Sequence, residues 1–296
     1  MKNKKLDNLL MEYLTETTKK VRKMAAQGKG REILGEVINR PEDIDIGIDK
    51  VGEDILERLV KKYKLNATIF SEPEGRDIKN GQHPDVYGSI DPFDGSVLFL
   101  RGFEHNWYSV LSFFDKKKQP ICCGIADILN EKFYISNEHG NYVLDINTGE
   151  KNKISRSHRK NLKEPIVLAS YIMSSQYSKK FFNIFGDLIK KMHPKALLYP
   201  NGGSYIYAYL AAGLVDAYVM FDEPRSEIDP GFAMAKKAGC EIVSVNSDAS
   251  FKDYEFIPGN QHDKVGLFVA ACTPELRDEL IKYYVKKYEE KYFFRA

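Results

Sequence analysis

Apolar residues recur at helical spacing near the start of the chain, at Leu6, Leu9, Leu10, Tyr13, Leu14, Val21 and Met24, and Gly28 and Gly30 end the pattern. The period predicts a helix over Leu6–Ala25 laid against a core. From Gln27 to Gly47 the chain mixes Gly, Asn, Pro, Asp and Glu with no period. That stretch reads as a long polar loop, a feature that in compact domains is usually functional. Lys50–Lys64 is helical again, with Val51, Ile55, Leu59 and Val60 on one face. Ala67–Phe70 and Val86–Ile90 predict two short strands, whose ends deliver Ser71-Glu72 and Asp91. Trp107–Asp115, Ile121–Asp127, Lys132–Ser136 and Asn141–Asp145 are closely spaced strands, the pattern of an antiparallel meander.

After Ser155-Arg156-Ser157 the rhythm changes. Strands are predicted at Ile166–Ala169, Ala196–Tyr199, Asp216–Phe221, Glu241–Val243 and Val265–Ala271. Between and after them lie predicted helices at Ser178–Met192, Ser204–Ala212, Asp229–Ala238 and Pro274–Tyr288. Such alternation predicts an α/β second half behind an α+β first half, with the division at residues 1–157 and 158–296.

Composition narrows the classes of function. Of 296 residues 43% are apolar and 29% charged, an ordinary globular balance, and the net charge of +2 gives no broad footprint for nucleic acid. Lys116-Lys117-Lys118 reads as a solvated turn between strands. The start of the chain lacks the apolar core of a signal peptide, and the apolar stretch Tyr205–Phe221 is broken by Gly213 and Asp216, too short to span a bilayer. Cys122, Cys123, Cys240 and Cys272 show no metal or disulfide spacing and read as small core residues. A cytoplasmic protein that binds neither membrane nor nucleic acid is expected.

The candidate chemistry sits in Asp91-Pro92-Phe93-Asp94-Gly95-Ser96, directly after a predicted strand. Two carboxylates three residues apart, in a turn stiffened by proline and followed by Gly-Ser, suit a hard divalent cation beside a phosphate. Glu72, at the end of the neighbouring strand, can supply a further hard oxygen ligand. A helix opening at Gly95 and Ser96 would turn its free N–H groups toward the anion.

At these residues the chain resembles the inositol monophosphatase and fructose-1,6-bisphosphatase superfamily of Mg²⁺-dependent, often lithium-sensitive phosphatases. Asp91–Ser96 matches the signature D-P-[aliphatic or aromatic]-D-G-[ST]. Ile48-Asp49-Lys50 resembles the family's aspartate opening a helix, and Phe70-Ser71-Glu72 its strand-end glutamate. Gly213–Tyr218, Ile228–Ala233 and Lys237–Cys240 resemble its second signature, with Asp229 as the metal aspartate. The resemblance implies a layered αβαβα sandwich of the sugar phosphatase type, two or three Mg²⁺ per site and a homodimer. It assigns Glu72, Asp91 and the Phe93 carbonyl to one metal, and Asp91, Asp94 and Asp229 to another. Asp49, Glu72 and Ser96 become the catalytic set. Gly95, Ser96, Gly202, Gly203, Ser204 and Arg225 become candidates for substrate binding.

Some readings stay open. Ser204 either meets substrate hydroxyls or caps a helix, and Arg225 either meets a second phosphate or is a solvated loop charge. Asp216, His83, His105 and Trp107 read as structural or loop residues. The chain departs from the family pattern at Leu98, Glu104-His105, Pro73, Met220 and the Asp45-Ile46 region. The expected activity is hydrolysis of a small phosphorylated metabolite, inositol-1-phosphate and/or fructose-1,6-bisphosphate, by metal-activated water. The alternatives are a 3′-phosphoadenosine-5′-phosphate phosphatase and a non-catalytic member acting as a binding protein.

Overall fold

Strands that are apolar on both faces need cover on both sides, and most of the long strands of this chain are of that kind. The computed structural model describes residues 2–37, 40–73, 75–246 and 250–292. Helix α1 (Lys2–Ala26) is followed by a hairpin of β1 (Ile33–Val37) and β2 (Arg40–Ile46), then by α2 (Gly47–Lys62). The first large sheet takes β3 (Ala67–Ser71), β4 (Ile78–Asn80), β5 (Val86–Asp94), β6 (Tyr108–Phe114), β7 (Pro120–Asp127), β8 (Lys132–Asn137), β9 (Gly140–Asp145) and β10 (Lys151–Lys153). The short helix α3 (Ser96–Leu100) interrupts it between β5 and β6. Its strand order is β10-β9-β8-β7-β6-β5-β3-β4; β6 through β9 form the expected antiparallel meander, which β5 and β10 extend on either side. β3 and β5 pair in parallel, so Ser71 stands beside Ile90, and Glu72 and Asp91 follow at the same end of the sheet.

The second sheet is built from β11 (Val167–Ala169), β12 (Leu197–Tyr199), β13 (Ala217–Pro224), β14 (Glu241–Val245), β15 (Phe251–Asp253) and β16 (Lys264–Ala271), in the order β12-β11-β13-β16-β14-β15. Its helices are α4 (Ser175–Lys191), α5 (Ile206–Ala211), α6 (Arg225–Ile228), α7 (Phe232–Lys237) and α8 (Pro274–Tyr292). The sheet is mixed. β11 pairs in parallel with β12 and β13, while β16 runs antiparallel to β13 and β14.

Three apolar clusters tie the layers together. One joins α1 and α2 to the first sheet through Leu10, Leu14, Leu56, Leu59, Leu111 and Phe113. A second fills the space between the sheets, where Tyr207, Leu210, Phe232 and Met234 of α5 and α7 meet Phe114, Ile125 and Phe268. The third seats α4 and α8 on the outer face of the second sheet. Fully burying one such Leu or Phe side chain is worth roughly 1.5–3 kcal/mol, so each layer contact is substantial. The succession helix, sheet, helix, sheet, helix is the αβαβα sandwich.

Two expectations change. The polar stretch before Gly47 is a β-hairpin rather than a loop, because its register pairs Gly35 with Asp45 and Glu36 with Ile44 despite the absence of alternation. The predicted helix over Asp229–Ala238 is shorter, α7 at Phe232–Lys237, and a separate short helix, α6, ends just before it. Pro230 has no N–H to continue α6, and the chain restarts at Phe232. Among the described residues, no helix is long and apolar enough to cross a membrane.

Candidate active site

At the end of β5 the pairing with β6 loses register between Asp91 and Asp94, and a bulge of this kind re-aims side chains. Both aspartates then line one cleft, together with Glu72, Phe93, Gly95, Ser96, Gly202, Gly203, Glu223 and Glu227. The space between its walls, open solvent included, is about 710 Å³.

Gly95 makes the turn possible. Its φ is +118°, and a Cβ there would stand 2.0 Å from the Asn106 carbonyl oxygen. Beyond it, the Ser96 hydroxyl lies 3.1 and 3.3 Å from the two carboxylate oxygens of Asp49 and 3.0 Å from the Phe93 carbonyl. One proton can serve only one of these acceptors at a time. Asp49 is fixed in the first turn of α2, where its Oδ2 accepts the Ile46 N–H at 2.8 Å. Asp49 and Ser96, both placed in the catalytic set by the resemblance, are thus in hydrogen-bond contact, and both are buried.

Asp94 is held from the opposite half of the chain. The Tyr205 N–H donates to its Oδ2 at 3.1 Å, and Gly203, at φ +116°, leaves room that a Cβ would fill at 2.6 Å from the same oxygen. Gly202 and Gly203 thus reach the cleft wall, as expected. Ser204 does not: it is fully buried and its hydroxyl donates to the Glu227 carbonyl at 3.1 Å. That bond ties Ser204 to α6, and the same side chain also reaches the Asp91 carboxyl, whose pKa it pulls down.

Of the second half's acids, Glu227 joins the strand-end carboxylates, while Asp229, which the resemblance assigns to a metal, is not among the cleft-lining residues. Single oxygens of Glu72, Asp91 and Glu227 lie within 4.8 Å of one another, and all three residues are buried. Asp229 points elsewhere. Tyr254 donates its hydroxyl to Asp229 Oδ1 at 2.7 Å and Arg225 stands 3.8 Å away. The physical reason is helical direction, because residues two apart on a helix do not share a face. Sequence reading missed Glu227, though it stands in the same short segment. Burial pushes the Asp229 carboxyl up to about 7, against the pull of Arg225 and Tyr254.

Arg225 is the remaining correction. Its side chain is 12% exposed, stacks over the Tyr254 ring and donates to the Tyr254 hydroxyl at 3.0 Å and the Glu255 carbonyl at 2.8 Å. It does not line the cleft, so it is neither a solvated charge nor a partner for a second phosphate.

The donor set fits a hard divalent cation. Asp91 Oδ1 is buried without a hydrogen-bond partner, an expense that a cation would remove. Burial holds the Asp91 carboxyl well above its ordinary pKa, and the charges of Asp94, Glu227 and Asp49 add to the effect. Glu72, Asp91 and Glu227 could hold one ion together, with Asp94 and the Phe93 carbonyl beside them.

Comparison with known proteins places the chain among relatives of one fold. "Nus factor SuhB" of Pasteurella multocida is 22% identical over 246 residues, covering 82% of this chain and 88% of that protein. Among solved structures, the extragenic suppressor protein suhB from Bartonella henselae superposes with a TM-score of 0.72 at 14% identity, covering 94% of this chain and 98% of the other. The IMPase of Thermotoga maritima gives 0.67 at 20% identity, over 93% and 96%. The family model described as the inositol monophosphatase family matches residues 3–287, and the chain belongs to that family.

Proposed function

We propose that the protein is a Mg²⁺-dependent phosphatase that hydrolyses the monoester of a small polyol or sugar phosphate, with inositol-1-phosphate as the first candidate. One observation carries the reading: three buried carboxylates converge beside the Asp49 and Ser96 pair at the floor of an open cleft. A bound divalent cation supplies Lewis acidity and offsets the charge of a phosphate dianion. Glu72, Asp91 and Glu227 would hold it, and Asp94 and the Phe93 carbonyl extend the donor set.

The chain's own residues do the rest. Asp49 is the proton acceptor, and the Ser96 hydroxyl, able to turn from Phe93 O to Asp49 Oδ1, orients an attacking water and passes its proton to that carboxylate. The fixed α2 terminus keeps Asp49 in place. Phosphoryl transfer needs mainly position and charge, and the buried, prearranged acids supply both.

The test is phosphate release from inositol-1-phosphate and a panel of sugar phosphates, with and without Mg²⁺, wild type beside Asp94→Asn. Metal-dependent turnover lost in the variant supports the reading. Silence from folded protein on every ester favours the second reading, a binding protein, which the name "Nus factor" borne by the curated relatives also suggests.

A further inference from the structure

Helices α1 and α2 lie side by side and antiparallel, and a ladder of ion pairs joins them. Lys62 pairs with Glu12, which also accepts the Tyr63 hydroxyl at 2.8 Å, and one turn further along α1 Arg58 pairs with Glu16. Continued in the same register, the ladder sets Lys19 opposite Ile55, Lys20 opposite Asp54 and Lys23 opposite Val51. No ion pair joins the helices there, because Asp54 is held by Lys50, one turn away on its own helix, at 3.1 Å.

Where the ladder stops, a groove opens between the two helices. Its apolar lining is Val51 and Ile55, both half-buried, and Lys19, Lys20 and Lys23 line it from α1 and are exposed. The two carboxylates of the groove are taken, Glu16 by Arg58 and Asp54 by Lys50. Among the described residues, none of the three lysine ammonium groups has an ion pair or hydrogen bond. Lys19 and Lys23, four apart on one helix, repel each other, a cost that an anionic partner would remove.

The shape and lining of the groove narrow the partner. A single nucleic-acid strand is held by stacking on aromatic rings, and no aromatic residue lines the groove. A bilayer takes up a protruding apolar face, whereas Val51 and Ile55 sit between two helices. An amphipathic helix fits both features, with apolar side chains at i, i+3 and i+4 laid on Val51 and Ile55 and carboxylates set against the lysines. From Glu16 to Lys23 the groove runs along roughly 10 Å of α1, about two turns of such a helix.

We propose that the groove between α1 and α2 is a docking surface for an acidic amphipathic helix of a partner protein, with Lys19, Lys20 and Lys23 reading its charge and Val51 and Ile55 its apolar face. The inference stands apart from the phosphatase reading, and its test needs no turnover.

The experiment selects binders to the full chain from a displayed library of short helical peptides, with Leu fixed at i, i+3 and i+4 along one face and every other position random. The best sequence, made as a labelled peptide, is then measured by fluorescence anisotropy. Asp and Glu are expected to be enriched at the random positions, and raising the salt concentration should weaken binding. The double variant Lys19→Glu, Lys23→Glu, whose exposed positions leave the fold intact by circular dichroism, should weaken binding at least tenfold. Val51→Ser should weaken it less, and a peptide with Lys in place of its Glu residues should recover binding to the double variant. A selection without binders, binders without acidic bias, or equal affinity for the wild type and the double variant overturns the proposal. A short RNA, phosphatidylserine vesicles and the oligomeric state are followed in parallel. If the double variant abolishes binding of RNA or vesicles, or self-association, while no acidic peptide is selected, the lysines serve that partner and the proposal is overturned.

Discussion

In the turn after β5, Asp91 and Asp94 stand three residues apart and both line the cleft, whereas around α6 Glu227 and Asp229 stand two apart and separate. The difference is backbone geometry. A bulge at a strand end can turn two carboxylates to the same side, while a helix carries residues i and i+2 to different faces. Glu227 joins Glu72 and Asp91, and Asp229 goes inward to hold Tyr254 and Arg225. One acid of the pair belongs to the site and the other to the frame beneath it.

The sharpest way to break this contrast is to neutralise each acid. Glu227→Gln is expected to lower Mg²⁺-dependent turnover on the order of 100-fold or more, since the loss of even a supporting partner of a metal ligand costs 10–100-fold. Asp229→Asn should keep turnover within a few-fold and show its effect in melting temperature. If the two effects on turnover are reversed, the assignment of α6 is wrong.

Next in size is the turn itself. Gly95→Ala places a Cβ against the Asn106 carbonyl at a positive φ, and should cost about 1–3 kcal/mol of stability on chemical denaturation. Gly203→Ala crowds Asp94 Oδ2 and is expected to weaken metal-dependent turnover more than it lowers stability. Unfolding curves and phosphate release measured on the same preparations separate the two. For Arg225→Met, a loss of stability with little change in KM for a monophosphate is expected. A large KM increase there would restore a direct role in binding.

The smallest effect is on pH dependence. Glu53, on α2, accepts the Ser71 hydroxyl at 2.6 Å, and Arg76 joins it to Asp45 of the hairpin. Burial raises its pKa, with Ser71 and Arg76 opposing. A carboxyl whose folded pKa is raised binds protons more tightly when folded, so its contribution is fully present below the unfolded pKa of about 4.3 and is lost as pH rises through the raised value. Melting of Glu53→Gln relative to the wild type should therefore improve from pH 4 upward. A difference that is flat or falling with pH contradicts it.

Much of the frame is legible in the sequence because local signals carry it. The strands from Tyr108 to Asn137 are largely buried runs cut by tight turns, and α1 and α2 show a clear apolar period. The hairpin before Gly47 is not legible: Ile33 and Leu34 are exposed, so no alternation marks the strands, and pairing between β1 and β2 sets their conformation. In the site, Glu72, Asp91, Asp94 and Ser96 follow from strand ends and one turn. Ser204 and Arg225 look like binding residues in the chain, yet their partners come from Glu227, Tyr254 and Glu255, positions that only the folded second half brings near.

The most direct test of the central claim is metal binding itself. Titrating Mn²⁺ into the wild type and Asp91→Asn, read by paramagnetic resonance of the free ion, needs no substrate. The account predicts saturable binding by the wild type, weakened at least tenfold in Asp91→Asn, with folding intact by circular dichroism. Equal binding by the two proteins would contradict it.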